Sequence, residues 1–414
     1  MDWREGARLD SSNRQAANVY ECRGSLEGLA DYLCPGGEPQ NFIISGGAQY
    51  GDQLRPLGAF FDSVVGRLPV IVLHNNDWDM VSLACESWES SGCTEDEAPL
   101  WVVDSRSPGF EPLYGMDEMQ LSAALRQLAK KLGYTVTPRF EKVVRAHTAI
   151  LSRLELPISL TGLRYLCGFE DMGEFHGNIM SLPGDEAANR RIWSDLGTDL
   201  DPANNQFDLF RAVIGNLAQD AAASGWSAGG GLSGANCIQA ALNGATLLLP
   251  VSDTNSELLL PYLAEELRAI RRPFILIVDK VKLCDEHFLK YLSGSKPGGA
   301  FGIVADSVVD LVDGDEDAVA RLADRVNTLL ILKHGTGRTA AVLSELLGRF
   351  DYTKAETGTG TSRGFLKLLP RDRHIDVRYS TENRYRIMPE EMTSLGPGQA
   401  IVFDTGSNEI IRYN

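Results

Sequence analysis

Long apolar runs are missing from this 414-residue chain. No stretch reaches the roughly 18 apolar residues that a membrane-crossing helix needs, so no membrane span is expected. The opening residues, MDWREGARLD, lack the apolar core of a signal peptide. Zinc spacing is missing as well. Cys22, Cys34, Cys85, Cys93, Cys167, Cys237 and Cys284 are scattered, odd in number and form no C-x-x-C pair. Reduced thiols in a cytoplasmic protein are the expectation. The histidines (His74, His147, His176, His287, His334 and His374) also lie far apart, and no metal site is expected from them. Basic charge is scarce: 39 Lys and Arg stand against 56 Asp and Glu, a net −17. A field of that sign repels phosphate and argues against a broad nucleic-acid face. The best basic clusters, 268–272 and 363–373, are short. Cys284 has only His287, three residues on, as a candidate partner for nucleophilic chemistry.

What the chain does have is a repeated alternation of short apolar runs and amphipathic stretches. Its centre is residues 273–285, PFILIVDKVKLCD. A continuous β-branched run such as 274–278 suits a strand buried on both faces of a parallel sheet. Asp279 stands where that strand ends, and ligands of open α/β sheets collect at that end. Strands are also expected at 41–45, 69–73, 100–103, 245–250, 301–305 and 328–332. Helices are expected at 54–65, 80–88, 258–270, 288–292, 317–323 and 339–347. Such alternation implies βαβ units in a mostly parallel sheet with helices on both faces. The first 38 residues carry a Leu26/Leu29/Ala30/Leu33 stripe at helical spacing, ended by Pro35-Gly36-Gly37, and read as a helical arm. Between about 117 and 219 the rhythm becomes helical, with helices expected at 121–132, 140–154, 160–169 and 207–223 and an irregular segment at 173–202. The glycine-rich stretch 224–236 follows a helix rather than a strand, so it reads as a flexible loop, not a phosphate cradle. The Gly-Thr run 357–364 reads as a mobile loop. The tail alternates in strand fashion, with strands around 375–379, 385–387, 400–403 and 410–413.

Four phrases in this order resemble the motor domain of the conjugative coupling-protein ATPases of type IV secretion. These belong to the RecA/FtsK-like P-loop class and carry an inserted all-helical domain. EPLYGMDEMQ (111–120) follows a strand and opens the helical segment. LLLPYLAEELRAIRR leads into PFILIVD as that family's chain leads into its Walker B strand. NTLLIL (327–332) is followed by TAAVLSELLG (339–348). YRIMPEEMTSLGPGQAIVF (385–403) is similar to the closing segment. The resemblance implies a RecA-like α/β domain over 39–115 and 224–414, interrupted by an all-α domain over 116–223 and ending in a C-terminal β segment.

The departures bear on chemistry. A working P-loop is G-x-x-x-x-G-K-[ST], whose lysine and hydroxyl hold phosphate and Mg²⁺. Here Gly46, Gly47 and Gly51 keep the glycines, but Asp52 stands in place of the lysine and Gln53 in place of the hydroxyl. Two like unit charges at 4 Å cost about 4 kcal/mol at an effective dielectric of ~20, so Asp52 is expected to repel a triphosphate. Asp279 keeps the Walker B acid, while Lys280 replaces the glutamate that polarises water, and an ammonium is a poor general base. Asp306 stands where the family places a phosphate-sensing glutamine. The loop before that strand offers Lys296 but no arginine. Phosphoryl transfer depends on positioning and charge neutralisation, and these losses together imply a pseudo-ATPase with no catalytic residues and no cofactor. Its partners would be proteins: an active ATPase relative or other secretion-machine subunits, with self-association as a further option. The alternatives are an active nucleotide-binding enzyme that uses ATP and Mg²⁺ through unusual residues, and a DNA-translocating motor. A separate anion site at Gly335, Gly337 and Arg338 is a further candidate, because a helix opens there after a strand.

Overall fold

The computed structural model describes residues 12–47, 51–104, 109–197, 205–226, 235–254, 256–294, 299–361 and 373–414. Ten strands make one sheet in the order β1-β12-β11-β8-β2-β7-β6-β3-β5-β4. They are β1 (Val19–Cys22), β2 (Phe42–Ser45), β3 (Val70–His74), β4 (Leu100–Val102), β5 (Thr246–Pro250), β6 (Ile275–Asp279), β7 (Ala300–Ala305), β8 (Thr328–Ile331), β11 (Ala400–Asp404) and β12 (Glu409–Tyr413). From β8 to β4 every neighbouring pair is parallel. The antiparallel pairs lie at the C-terminal end, where β11 joins β8 and β12. The expected mostly parallel α/β architecture is present.

Alternation along the strands explains why both faces are covered. Ile43, Ile71, Leu73, Leu276, Val278 and Ile303 belong to one apolar core. Their neighbours Phe42, Ile44, Val70, Val72, Ile275, Ile277 and Val304 belong to the other, as a period of two requires. Leu57, Phe60, Phe61 and Val64 of α1 (Leu54–Val64) fill the second face. Phe42 packs edge-on against Phe60 at 5.1 Å. Gly302 lies beneath that pair, and a Cβ on it would fall 2.2 Å from the Phe42 ring. The first face is covered by the helices that follow β6 and β7 and by the helical insertion.

The insertion comprises α3 (Glu118–Lys131), α4 (Pro138–Arg153), α5 (Leu160–Cys167), α6 (Met172–Met180), α7 (Glu186–Leu196) and α8 (Gln206–Ala223), while α2 (Trp78–Ser90) belongs to the sheet domain. Its first helix opens on a capping box between Asp117 and Gln120, which holds the orphan amides of the first turn. The irregular segment expected at 173–202 is instead α6 and α7, as far as residue 197. Gly173, Gly177 and Pro183-Gly184 obscured the spacing, but Asp171 and Asp185 cap the two helices and Phe175, Ile179, Ile192 and Leu196 are buried.

Two further expectations are corrected. The arm before residue 38 is not simply helical. Residues 12–17 are helical, then Val19–Cys22 forms an edge strand parallel to β12, and Leu26–Leu29 is a 3₁₀ turn running into a short helix, Ala30–Leu33. The supposed loop at 357–364 is strand as far as Thr361. It belongs to a hairpin in which β9 (Arg349–Thr361) pairs antiparallel with β10 (Arg373–Tyr385). Asn13 clasps the base of this hairpin, exchanging hydrogen bonds of 3.0 and 2.9 Å with the Thr353 backbone. Residues 227–234 of the glycine-rich stretch, Lys296 and residues 362–364 lie outside the described residues.

Candidate functional site

The parallel strands end together on one edge. Ser45 lies in register with Ala305, and His74 with Asp279. The chain leaves β2 towards one face of the sheet, through α1, and leaves β7 towards the other, through Val308 and Val309. A sheet whose neighbouring strands depart to opposite faces opens a crevice at that point. The residues singled out in the sequence meet there.

The glycine turn begins tightly. Gly46 and Gly47 have φ of 94° and 85°, a region that favours glycine. A Cβ on Gly46 would fall 2.7 Å from the Leu332 carbonyl oxygen. Their amides are taken by protein carbonyls, Gly46 donating to Ala305 and Gly47 to Lys333, both at 2.9 Å. Residues 48–50 lie outside the described residues. Beyond them, Gly51 has φ of 63° and leads into Asp52 and Gln53, both buried at 3 % exposure.

Gln53 turns inward and clasps the turn. Its Nε2 donates to the Gly46 carbonyl at 2.6 Å, to the Ala305 carbonyl at 3.1 Å and to Asp306 Oδ1 at 3.1 Å. Asp52 turns elsewhere: its Oδ2 accepts from the Gly398 amide at 3.1 Å. The carboxylate expected to face a phosphate directly is thus engaged with the loop before β11.

Asp306 carries the network onward. Its Oδ1 lies 3.8 Å from Lys280 Nζ, and Lys280 donates to Asp77 Oδ2 at 2.7 Å. Asp77 also caps α2, accepting from the amides of Asp79 and Met80. A continuous polar chain of Gln53, Asp306, Lys280 and Asp77 therefore ties together the turn after β2 and the ends of β7, β6 and β3. Lys280 itself has φ of 54°, with its amide on the Val304 carbonyl at 2.9 Å. Burial works against the charge of Lys280, but the bond to Asp77 and the surrounding carboxylates outweigh it and raise its pKa. Burial likewise opposes ionisation of Asp77, and Lys280 with the helix amides overcomes it, so that pKa is lowered. The two partners agree: this is a working ion pair.

Asp279 is the exception. It is fully buried and neither carboxylate oxygen has a hydrogen-bond partner among the described residues. Burial pushes its pKa up to about 7, Asp77 and Asp306 push in the same direction, and Lys280 opposes them. His74, beside it in register, is also buried, with both ring nitrogens unpartnered. Burial pulls its pKa down to about 4, against the pull of Asp77. Burial thus favours the neutral form of both side chains. His74 and Asp77 were not foreseen from the sequence; the available signal was Asp77 directly before a helical run, an N-cap placement.

The other candidates lie apart. Arg338 donates to the Gly314 carbonyl at 3.4 Å, and its helix, Gly337–Leu347, starts without a side-chain cap from Thr336. His334 of the same turn is buried, and burial pulls its pKa to about 4. Cys284 bonds Asp313 at 2.9 Å, whereas His287 pairs with Glu265, so the two do not meet. Among the described residues no group of three or more metal-ligating side chains could hold an ion, and no helix is long and apolar enough to cross a membrane.

No protein-family model matches the chain, and no curated protein matches it. Solved structures do. The unbound monoclinic form of the bacterial conjugative coupling protein TrwBdeltaN70 is 14% identical, covering 99% of this chain and 90% of that one, with a TM-score of 0.53. The plasmid coupling protein TrwB in complex with the non-hydrolysable GTP analogue GDPNP is 13% identical, covering 99% and 91%, with a TM-score of 0.51. The trigonal form of TrwBdeltaN70 in complex with sulphate is 14% identical, covering 99% and 90%, also at 0.51. The likeness is one of fold: this chain shares the mostly parallel α/β architecture of these coupling proteins over nearly its whole length, the fold its motif order suggested.

Proposed function

We propose that the protein is a catalytically silent, ATPase-like cytoplasmic subunit of a secretion or conjugation machine, working through contacts with other proteins. The carrying observation is the chain of Gln53, Asp306, Lys280 and Asp77 at the strand ends. In a working P-loop enzyme the groups at these positions are left open for phosphate, Mg²⁺ and the attacking water. Here they satisfy one another, and opening the site means breaking the buried bonds from Gln53 to the Gly46 and Ala305 carbonyls, which cost about 1–3 kcal/mol when a group is left unpaired, together with the partly exposed contacts of Asp306 and Lys280. The residue in the lysine position is an acid held by Gly398, and the amides of Gly46 and Gly47 point to protein carbonyls rather than outward. A net charge of −17 favours a basic protein over DNA as a partner.

The test is phosphate release from ATP, with and without Mg²⁺, by the full chain and by Asp279→Ala. The reading expects no release above buffer from either protein. Release by the wild type that disappears in Asp279→Ala would establish an active enzyme with an unusual site instead. Strong, salt-dependent DNA binding at physiological ionic strength would favour the motor reading.

A further inference from the structure

A cavity opens at the β1 edge of the sheet, where β1 and β12 meet the base of the β9–β10 hairpin. It measures about 280 Å³, and Arg14, Glu21, Arg386, Glu391 and Arg412 line it together with Phe350 and Tyr352. Three guanidinium groups thus share one space with two carboxylates. Arg14 pairs with Glu21 at 3.5 Å, and Arg412 Nη2 with Glu391 Oε1 at 2.7 Å. Arg386 is bonded only to neutral oxygens among the described residues. Its guanidinium donates to the carbonyls of Ala17 at 2.6 Å, Asn18 at 3.3 Å, Leu347 at 3.2 Å and Asn408 at 2.7 Å, and to Asn408 Oδ1 at 2.7 Å. The residue is 9% exposed, and burial lowers its pKa. A desolvated charge without a counter-charge is costly. Arg412 adds a second unmet demand. Its Nε is buried with no hydrogen-bond partner among the described residues, and an orphan buried donor marks a place for a water or an ion.

These demands define an occupant. The cavity falls just below the ~300–1,000 Å³ typical of drug-sized ligands, so the occupant is small. One positive charge stands uncompensated, which fits a monoanion. A phosphate dianion would set surplus charge against Glu21 and Glu391. A carboxylate matches a guanidinium and can take the orphan Nε–H in a short, charge-assisted bond. Phe350 and Tyr352 supply flat apolar wall for a ring, and the Arg384 guanidinium sits 4.0 Å over the Tyr352 ring, fixing it. The chain's net −17 opposes any anion at a distance, but physiological salt confines that field to about 8 Å. We infer that this cavity binds a small aromatic carboxylate, its carboxylate on Arg412 Nε and beside Arg386, its ring against Phe350 and Tyr352. The site is separate from the strand-end network: Gln53, Asp306, Lys280 and Asp77 do not line it.

The probe is benzoate, with benzamide as its uncharged isostere and inorganic phosphate as a competing anion. Each is titrated at neutral pH and fixed ionic strength into the full chain and into Arg412→Lys, which keeps the charge beside Glu391 and removes the Nε–H. Saturation-transfer NMR on the probe's ring protons gives the affinity, and phosphate is read by its displacement of benzoate. Benzoate is expected to bind saturably and about 10-fold more tightly than benzamide. It should bind about 10-fold more weakly to Arg412→Lys, the scale of one charge-assisted hydrogen bond. No saturable benzoate signal, comparable affinity for benzamide, or unaltered affinity in a folded Arg412→Lys overturns the inference. Phosphate that displaces benzoate while binding more tightly than it overturns the carboxylate assignment. Should the thermal midpoint of Arg412→Lys show that the variant is not folded, Tyr352→Leu replaces it. That half-buried position should tolerate the change, and the affinity for benzoate should fall severalfold as the ring wall is lost; an unchanged affinity overturns the inference there too.

Discussion

Replacing Asp279 with asparagine removes a buried carboxyl at the strand ends that has no hydrogen-bond partner among the described residues, and the consequence should depend on pH in a defined direction. The carboxyl has an ordinary value of 3.8, raised by burial to about 7. Because the folded-state pKa lies above the unfolded one, the favourable contribution of the protonated group is complete below about pH 4 and is lost as pH rises through 7. The gap corresponds to about 4 kcal/mol, at about 1.4 kcal/mol per pH unit. Asp279→Asn cannot ionise, so its stability relative to wild type should climb between pH 4 and 7 and level off above, by up to about 4 kcal/mol. Other titrating groups, such as Glu266, whose pKa burial also raises to about 7, are present in both proteins and cancel in the difference. Urea unfolding at pH 4.5, 6, 7 and 8.5 gives the curve. A difference that stays flat, or that falls with pH, refutes the picture of a desolvated and unpaired Asp279.

Three other outcomes follow from the same geometry. Gln53→Ala strips the turn of its clasp to Gly46, Ala305 and Asp306 and should lower the unfolding free energy by about 1–3 kcal/mol, read in urea at neutral pH. Gly302→Ala drives a methyl into the buried Phe42 ring, which is pinned by Phe60, and should cost about 1–3 kcal/mol as overpacking; a neutral result would mean the two faces of the sheet are looser than described. His74 has its pKa lowered from 6.5 to about 4, so its neutral form supports folding above pH 6.5 and that support is lost as pH falls towards 4. His74→Gln should therefore gain on wild type by up to about 3 kcal/mol across that window, visible as a higher thermal midpoint at pH 4.5 than at pH 7.5 relative to wild type.

Much of the architecture was legible because it is written locally. The run ending at Asp279 announces a buried strand by its own composition, and the leucines at 121, 125, 128 and 132 announce a helix by spacing. What was not legible depends on distant pairing. Val19–Cys22 is a strand only because Glu409–Tyr413, at the other end of the chain, lies beside it. Arg349–Thr361 is rich in threonine, glycine and charge, and lacks the apolar alternation that marks a half-buried strand. The same division holds at the site. Asp279, Lys280, Asp306 and Gln53 could be picked out by position along the chain. That Gln53 reaches Asp306, that Lys280 reaches Asp77 on another strand's exit, and that Asp52 turns to Gly398 all depend on strand order. A repelling aspartate was the obstacle to a nucleotide expected from the sequence; in the structure Asp52 turns to Gly398, and the proposed silence of the site rests instead on polar groups that hydrogen-bond and pair with one another.

The most direct measurement is a calorimetric titration of the full chain with ATP in the presence of Mg²⁺, at neutral pH and physiological salt. A self-satisfied strand edge predicts no saturable heat up to millimolar nucleotide. A dissociation constant in the micromolar range, weakened by Asp279→Ala, would contradict it.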